Sequence, residues 1–97
     1  MTPLPTEFVS KKVTFRQLKR LGKVALYSRG PGDKVHGYEV IRIKDVPTTT
    51  WPNGNVTEAH EGYPGDNEFG NKGWYFMRED LDGAEKRFRV ESRRVKT

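Results

Sequence analysis

The sequence predicts an α+β fold: a small antiparallel sheet of four to five strands, a C-terminal amphipathic helix packed on one face, and a short N-terminal helix. Three observations lead there. Short runs rich in β-branched and aromatic residues recur between clusters of Gly, Pro and Asn. From Asp80 to Val95, apolar and basic residues separate when placed at about 100° per residue. A capping pattern precedes Phe15.

Taken in order, residues 1–12 contain two prolines and no clear period, and read as an extended arm whose Phe8 and Val9 dock on the body. Phe15 to Leu21 reads as the short helix. Thr14 and Gln17 have capping-box spacing, Val13 and Leu18 that of a hydrophobic staple, and Gly22 is placed to end the helix in a left-handed conformation. Phe15, Leu18 and Leu21 would form its buried stripe. Lys23 to Ser28 and Tyr38 to Lys44 read as two strands of a hairpin, joined by the turn-rich RGPGDKVHG. The second strand is apolar at both parities, as a central strand covered on both faces would be, or one with a bulge near Val40.

Val46 to Glu61 reads as a second hairpin around Asn53-Gly54, a pair suited to the positive φ of a type I′ turn. Pro47 and Pro52 push it to an edge. Residues 62–72 read as a loop, and Gly73 to Arg78 as a strand with Trp74 and Phe76 facing the core and Tyr75 the other side. Asp80 is placed to cap the final helix, with acidic residues in its first turn and basic ones beyond. Leu81, Ala84, Phe88 and Val95 form its narrow apolar stripe. Two residues fit poorly. Gly83 costs roughly 1 kcal/mol against Ala inside a helix, and Val90 lands on the basic face, so the helix is expected to stop near it. The domain reading is an arm over 1–12, one α+β domain over 13–92, and a basic tail over 93–97.

Ninety-seven residues suit one domain. With 33% apolar and 32% charged residues, the core must come from a short list of aliphatics and aromatics. The absence of cysteine excludes disulfides, thiolate metal sites and cysteine nucleophiles. No apolar run approaches the roughly 20 residues of a membrane span. The N-terminus lacks the basic-then-apolar pattern of a secretory signal, so a cytoplasmic location in a host cell and no membrane partner are expected.

Charge is unevenly distributed. Residues 1–22 carry five basic and one acidic residue, 23–44 five and two, 45–71 none and five, and 72–97 eight and five. Two basic ends therefore flank one acidic insert, an asymmetry that bears on partners. The leading candidate surface is basic. Lys86, Arg87, Arg89, Arg93, Arg94 and Lys96 share the helix face opposite the apolar stripe. Lys11, Lys12, Arg16, Lys19, Arg20 and Lys23 come from the N-terminal region. Were the two helices side by side, Arg16, Lys19, Arg20, Lys86, Arg89 and Arg93 would supply phosphate contacts, reading no sequence. The competing reading is an ordinary solvated face.

The second candidate surface is Trp51, beside the Asn53-Gly54 turn, with the acidic residues Glu58, Glu61, Asp66 and Glu68. A tryptophan at a hairpin tip can anchor a protein partner or stack on a base. Asp66-Asn67-Glu68 lacks the ligand positions of an EF-hand loop. His36 and His60 with Glu58 and Glu61 allow a two-histidine, one-carboxylate site to be drawn, without supporting spacing. RGPGDKVHG lacks the GKS/T ending of a phosphate loop. No cofactor, no metal and no enzymatic activity are expected.

The segments VALY…YEVIRI, YPG…EFG, GWYF and AEKRF, over roughly residues 22–90, resemble small uncharacterised proteins encoded by phages and other mobile elements. The strand-to-helix end also resembles a WGR domain, a nucleic-acid-associated module, with Phe69-Gly70-Asn71 standing where the defining Trp-Gly-Arg would be. The resemblance implies a binding role. One form is nucleic-acid binding; the other is inhibition of host machinery, as by anti-CRISPR proteins. It carries over no functional residue.

Overall fold

A computed structural model describes residues 2–64 and 73–94. Its spine is an antiparallel sheet whose five strands lie side by side in the order in which they occur along the chain. The strands are β1 (Glu7–Ser10), β2 (Val13–Leu21), β3 (Val24–Gly30), β4 (Gly37–Arg42) and β9 (Gly73–Met77), in the order β1-β2-β3-β4-β9. The chain between β4 and β9 forms two small ladders. β5 (Lys44–Val46) pairs with β8 (His60–Gly62), and β6 (Thr49–Thr50) with β7 (Val56–Thr57). One helix, α1 (Leu81–Arg94), follows β9. It packs over β3, β4 and β9.

The expected N-terminal helix is absent: Val13–Leu21 is a nine-residue strand. Backbone pairing on both sides, with β1 and β3, satisfies its amides better than seven isolated helical residues could. The misleading three-residue spacing of Phe15, Leu18 and Leu21 has a local cause. The β2–β3 register shifts between Gln17 and Lys19, an irregularity that inserts a residue and resets which side chains share a face. Phe15 is buried, whereas Leu18 and Leu21 are 48% and 61% exposed. Gln17 does not cap a helix; its amide donates to the Tyr27 hydroxyl at 3.0 Å. Gly22 does adopt a left-handed φ of 61°, but in the two-residue β2–β3 turn. Within the proposed arm, Glu7–Ser10 is an edge strand of the sheet.

β3 and β4 are covered on both faces, which explains their continuous apolar reading. Val24, Leu26 and Val40 meet Ala84 and Phe88 of the helix, with Tyr38, Trp74 and Phe76 at the margin. On the other face Leu4, Phe15, Ala25, Tyr27, Ile41 and Ile43 form a second cluster with Phe8, Val13 and Tyr63. There Phe8 stacks on Phe15 with centroids 4.8 Å apart, and both meet Tyr63 edge-on at 5.6 Å. The N-terminal segment and the β5–β8 insert thus cover the face the helix leaves open. Thr2 bridges to His60 and accepts from the Glu61 amide at 2.8 Å.

The Asn53-Gly54 hairpin forms with a different turn from the one expected. The Gly54 amide donates to the Trp51 carbonyl at 2.9 Å, so Pro52 and Asn53 are the central residues. Pro52 fixes a negative φ, which suits the second position of an ordinary turn and displaces the I′ geometry. Only Gly54, at φ 88°, has a positive φ in this turn.

The helix begins at its expected cap: the Gly83 amide donates to Asp80 Oδ1 at 3.1 Å. It passes through Val90 and runs on to Arg94, so the expected stop near Val90 is not seen. Leu81, expected on the buried stripe, is 36% exposed, while Val95 lies beyond the described residues. Gly83 is explained by its cap, since a Cβ there would sit 2.5 Å from the Asp80 carboxylate. Gly83→Ala should therefore bring none of the usual gain of about 1 kcal/mol, whereas in an Asp80→Ala background it should bring it in full. Urea unfolding of the four proteins of this double-mutant cycle measures the coupling.

Candidate functional site

Two surfaces and one cavity concentrate the chemistry. The first surface is the outer face of α1. Its cations divide by angle around the helix. Arg87 turns back to Glu91 at 3.2 Å and lies over the Trp74 ring at 5.0 Å. Arg94 reaches Glu91 at 3.7 Å. Lys86, Arg89 and Arg93 are exposed and form no ion pair among the described residues. At i, i+3 and i+7 they make one stripe along about 10 Å of helix. Lys96 falls outside the described residues.

The N-terminal cations do not join this stripe as expected, because they project from a strand rather than a helix. Arg16 pairs with Glu7 at 3.0 Å and Asp33 at 3.1 Å. Lys19 does approach the helix, but it binds Glu85 at 2.9 Å. That ammonium, with a smaller contribution from nearby Arg89, holds the Glu85 carboxyl below its ordinary value. Arg20 lies on the opposite face of the sheet, where its guanidinium grips Glu61 through two 2.7 Å hydrogen bonds. The expected joint patch of N-terminal and helix cations is therefore not assembled. Three cations of the outer helix face stand clear, with Lys19 beside them.

Glu61 also leaves the list of partner-binding residues, because it is buried and holds the insert to the sheet. Besides Arg20 it accepts from Lys23 Nζ at 2.5 Å and from the Leu4 amide at 2.9 Å. The Arg20 hydrogen bonds, followed by those from Lys23 and the Leu4 amide, outweigh desolvation and hold its carboxyl far below the usual range. It does not turn to His60, whose Nδ1 contacts the Glu58 carbonyl oxygen. Glu58 is exposed. Asp66 and Glu68 lie outside the described residues, as does Phe69-Gly70-Asn71.

The second surface is the tip of the β6–β7 hairpin. Trp51 is 51% exposed and Val56 55% exposed. Trp51 Nε1 donates to Thr57 Oγ1 at 2.8 Å, which fixes the indole while leaving much of it open.

The sequence reading missed two buried carboxylates. Glu91 is fully buried on the helix stripe, three residues beyond Phe88, and accepts from Arg42 and Arg87. Burial opposes its charged form, but these guanidinium bonds prevail and its pKa falls below the ordinary value. A signal existed: Glu91 shares the helical angle of Ala84, so a carboxylate stood on the apolar stripe opposite a strand bearing Arg42. Glu39 is the other. It is 3% exposed and accepts from Arg29 and from the Tyr63 hydroxyl. Burial, then the Glu39 charge, pushes the Tyr63 hydroxyl far above its usual range. These groups border a cavity of about 400 Å³ on the face away from the helix.

Among the described residues, no helix is long and apolar enough to cross a membrane. Compared with protein-family models, curated proteins and solved structures, the chain matches none.

Proposed function

We propose that this chain is a small, non-enzymatic binding protein of a phage or mobile element. It engages nucleic acid, or a nucleic-acid-containing complex, through the outer face of α1. The observation that supports this is the division of its cations. Arg16, Lys19 and Arg20 are neutralised by carboxylates, while Lys86, Arg89 and Arg93 face water in a row. Unpaired cations of this kind bind phosphates by releasing condensed counterions, and they do so on any sequence.

A second reading is favoured by the hairpin tip. An exposed indole clamped by a hydrogen bond is a suitable anchor for a protein pocket. On that reading the chain is a protein-targeting inhibitor of host defence, of the anti-CRISPR kind, with Trp51 and Glu58 at the contact. Capture from a host lysate, repeated after nuclease treatment, separates the two. Loss of all captured material after nuclease supports the nucleic-acid reading; a protein that stays bound to the wild type and not to Trp51→Ala supports the second.

A further inference from the structure

On the face of the sheet away from α1, the cavity of about 400 Å³ joins apolar walls to charged groups. Phe8, Phe15 and Tyr63 supply aromatic surface, and Arg29, Glu39 and Lys11 supply charge. The Arg29 guanidinium lies over the Phe15 ring at 5.2 Å and near the Tyr75 ring at 5.6 Å. It donates to Glu39 through Nη1, and its other N–H groups have no protein acceptor among the described residues. Arg29 also lines an adjoining cavity of about 350 Å³.

Lys11 is held over the cavity by an unusual backbone. The two residues of the β1–β2 turn, Lys11 and Lys12, have φ of 52° and 67°. Such values are uncommon for residues with a Cβ, and glycine or asparagine is the ordinary choice in that turn. Lys11 has no ion pair among the described residues. Counting the charges at the cavity, Lys11 and Arg29 stand against Glu39 alone, which leaves an excess of one positive charge.

We propose that this cavity binds a small monoanion with a flat apolar body, an aromatic carboxylate being the simplest member of the class. The carboxylate would take the free N–H edge of Arg29 and the ammonium of Lys11, and the ring would lie against the Phe8–Phe15 wall. Charge-assisted bonds from a planar guanidinium suit a planar carboxylate. At roughly 30 Å³ per non-hydrogen atom, the space holds on the order of ten such atoms. The site lies on the other side of the sheet from the α1 stripe and does not depend on nucleic-acid binding.

The probes are benzoate, acetate, inorganic phosphate and benzylamine, titrated separately into the full chain and followed by amide and arginine side-chain NMR shifts. Benzoate should give saturable shifts at Lys11, Val13 and Arg29, with affinity at least about tenfold above the other three, because only it combines the right charge with an apolar body. Lys11→Gly removes the ammonium yet suits the turn, so that variant should fold and bind benzoate about three- to tenfold more weakly. Lys86→Gln/Arg89→Gln/Arg93→Gln should bind it unchanged. No saturable shift by about 10 mM benzoate overturns the proposal, affinity there being under about 3 kcal/mol. Equal binding of benzylamine or phosphate overturns it as well, as does full affinity in Lys11→Gly.

Discussion

Replacing Lys86, Arg89 and Arg93 together by glutamine is expected to remove most of the affinity for random-sequence duplex DNA while leaving the fold intact. If each contributes one phosphate contact, the logarithm of the association constant should fall with the logarithm of salt at a slope of about −2.7. That slope corresponds to roughly fortyfold weaker binding between 50 and 200 mM salt. The variant should lose this salt dependence along with the affinity, and it should do so equally on unrelated sequences. Lys19 is a useful contrast. Its ammonium is engaged by Glu85, an exposed pair of small energetic weight, so Lys19→Gln should weaken binding far less than the triple change. Fluorescence anisotropy with a labelled duplex over a salt series gives both numbers. A wild-type chain that shows no binding at 50 mM salt would sink the nucleic-acid reading, as would a triple variant that binds as the wild type does.

The largest effect on stability is expected at Glu61. Glu61→Gln keeps the size and the acceptor for the Leu4 amide but withdraws the charge facing Arg20 and Lys23. Breaking a fully buried pair costs about 3–5 kcal/mol. Here both cations are part-exposed, at 27% and 38%, which lowers the expectation to about 2–3 kcal/mol, or roughly 10–20 °C in Tm for a domain of this size. The pH dependence has a definite sign. Glu61 has a depressed folded-state pKa, so its contribution is fully present above the unfolded carboxyl value near 4.5 and is lost as pH falls through the folded value. The wild type should lose stability steadily below that point, and Glu61→Gln should lack that part of the decline. The gap between the two proteins should therefore narrow with acidification. Glu58→Gln, at an exposed position, should move Tm by little at any pH. Thermal melts at pH 7, 5, 4 and 3 test the sign as well as the size, since the decline begins near the ordinary carboxyl value and continues toward the much lower folded one.

Residue patterns that report on a single element proved legible. Asp80 capping Gly83, the both-sided burial of Val40 and Ile41, and the inward face of Ala84 and Phe88 could all be read from local spacing. What escaped depended on a partner far along the chain. Val13–Leu21 carries capping and staple patterns that are consistent with a helix, and only its two flanking strands decide otherwise. Once that segment is a strand, Arg20 and Lys19 point to opposite faces, and the basic patch built on two parallel helices cannot form. Glu61 and Glu39 looked like members of an acidic insert and a strand, respectively. Their burial is set by cations 41 and 10 residues away in sequence, which no local pattern reveals. The outer helix face was legible from helical angle, but the sequence placed Arg87 and Arg94 on it with Lys86, Arg89 and Arg93; their pairing with buried Glu91 is what sets them apart.

The two tryptophans also divide the protein optically. Trp74 lies beneath α1, flanked by the guanidinium groups of Arg42 at 5.8 Å and Arg87 at 5.0 Å, while Trp51 stands half in water at the far hairpin. A cation over the ring and the retreat of water both alter an indole's emission; if the helix lifts away, the Arg87 contact and the shielding from water end, while Arg42, on β4, stays. Emission from a chain carrying Trp51→Phe therefore arises from Trp74 alone, and the protein contains its own gauge of whether α1 is seated on the sheet.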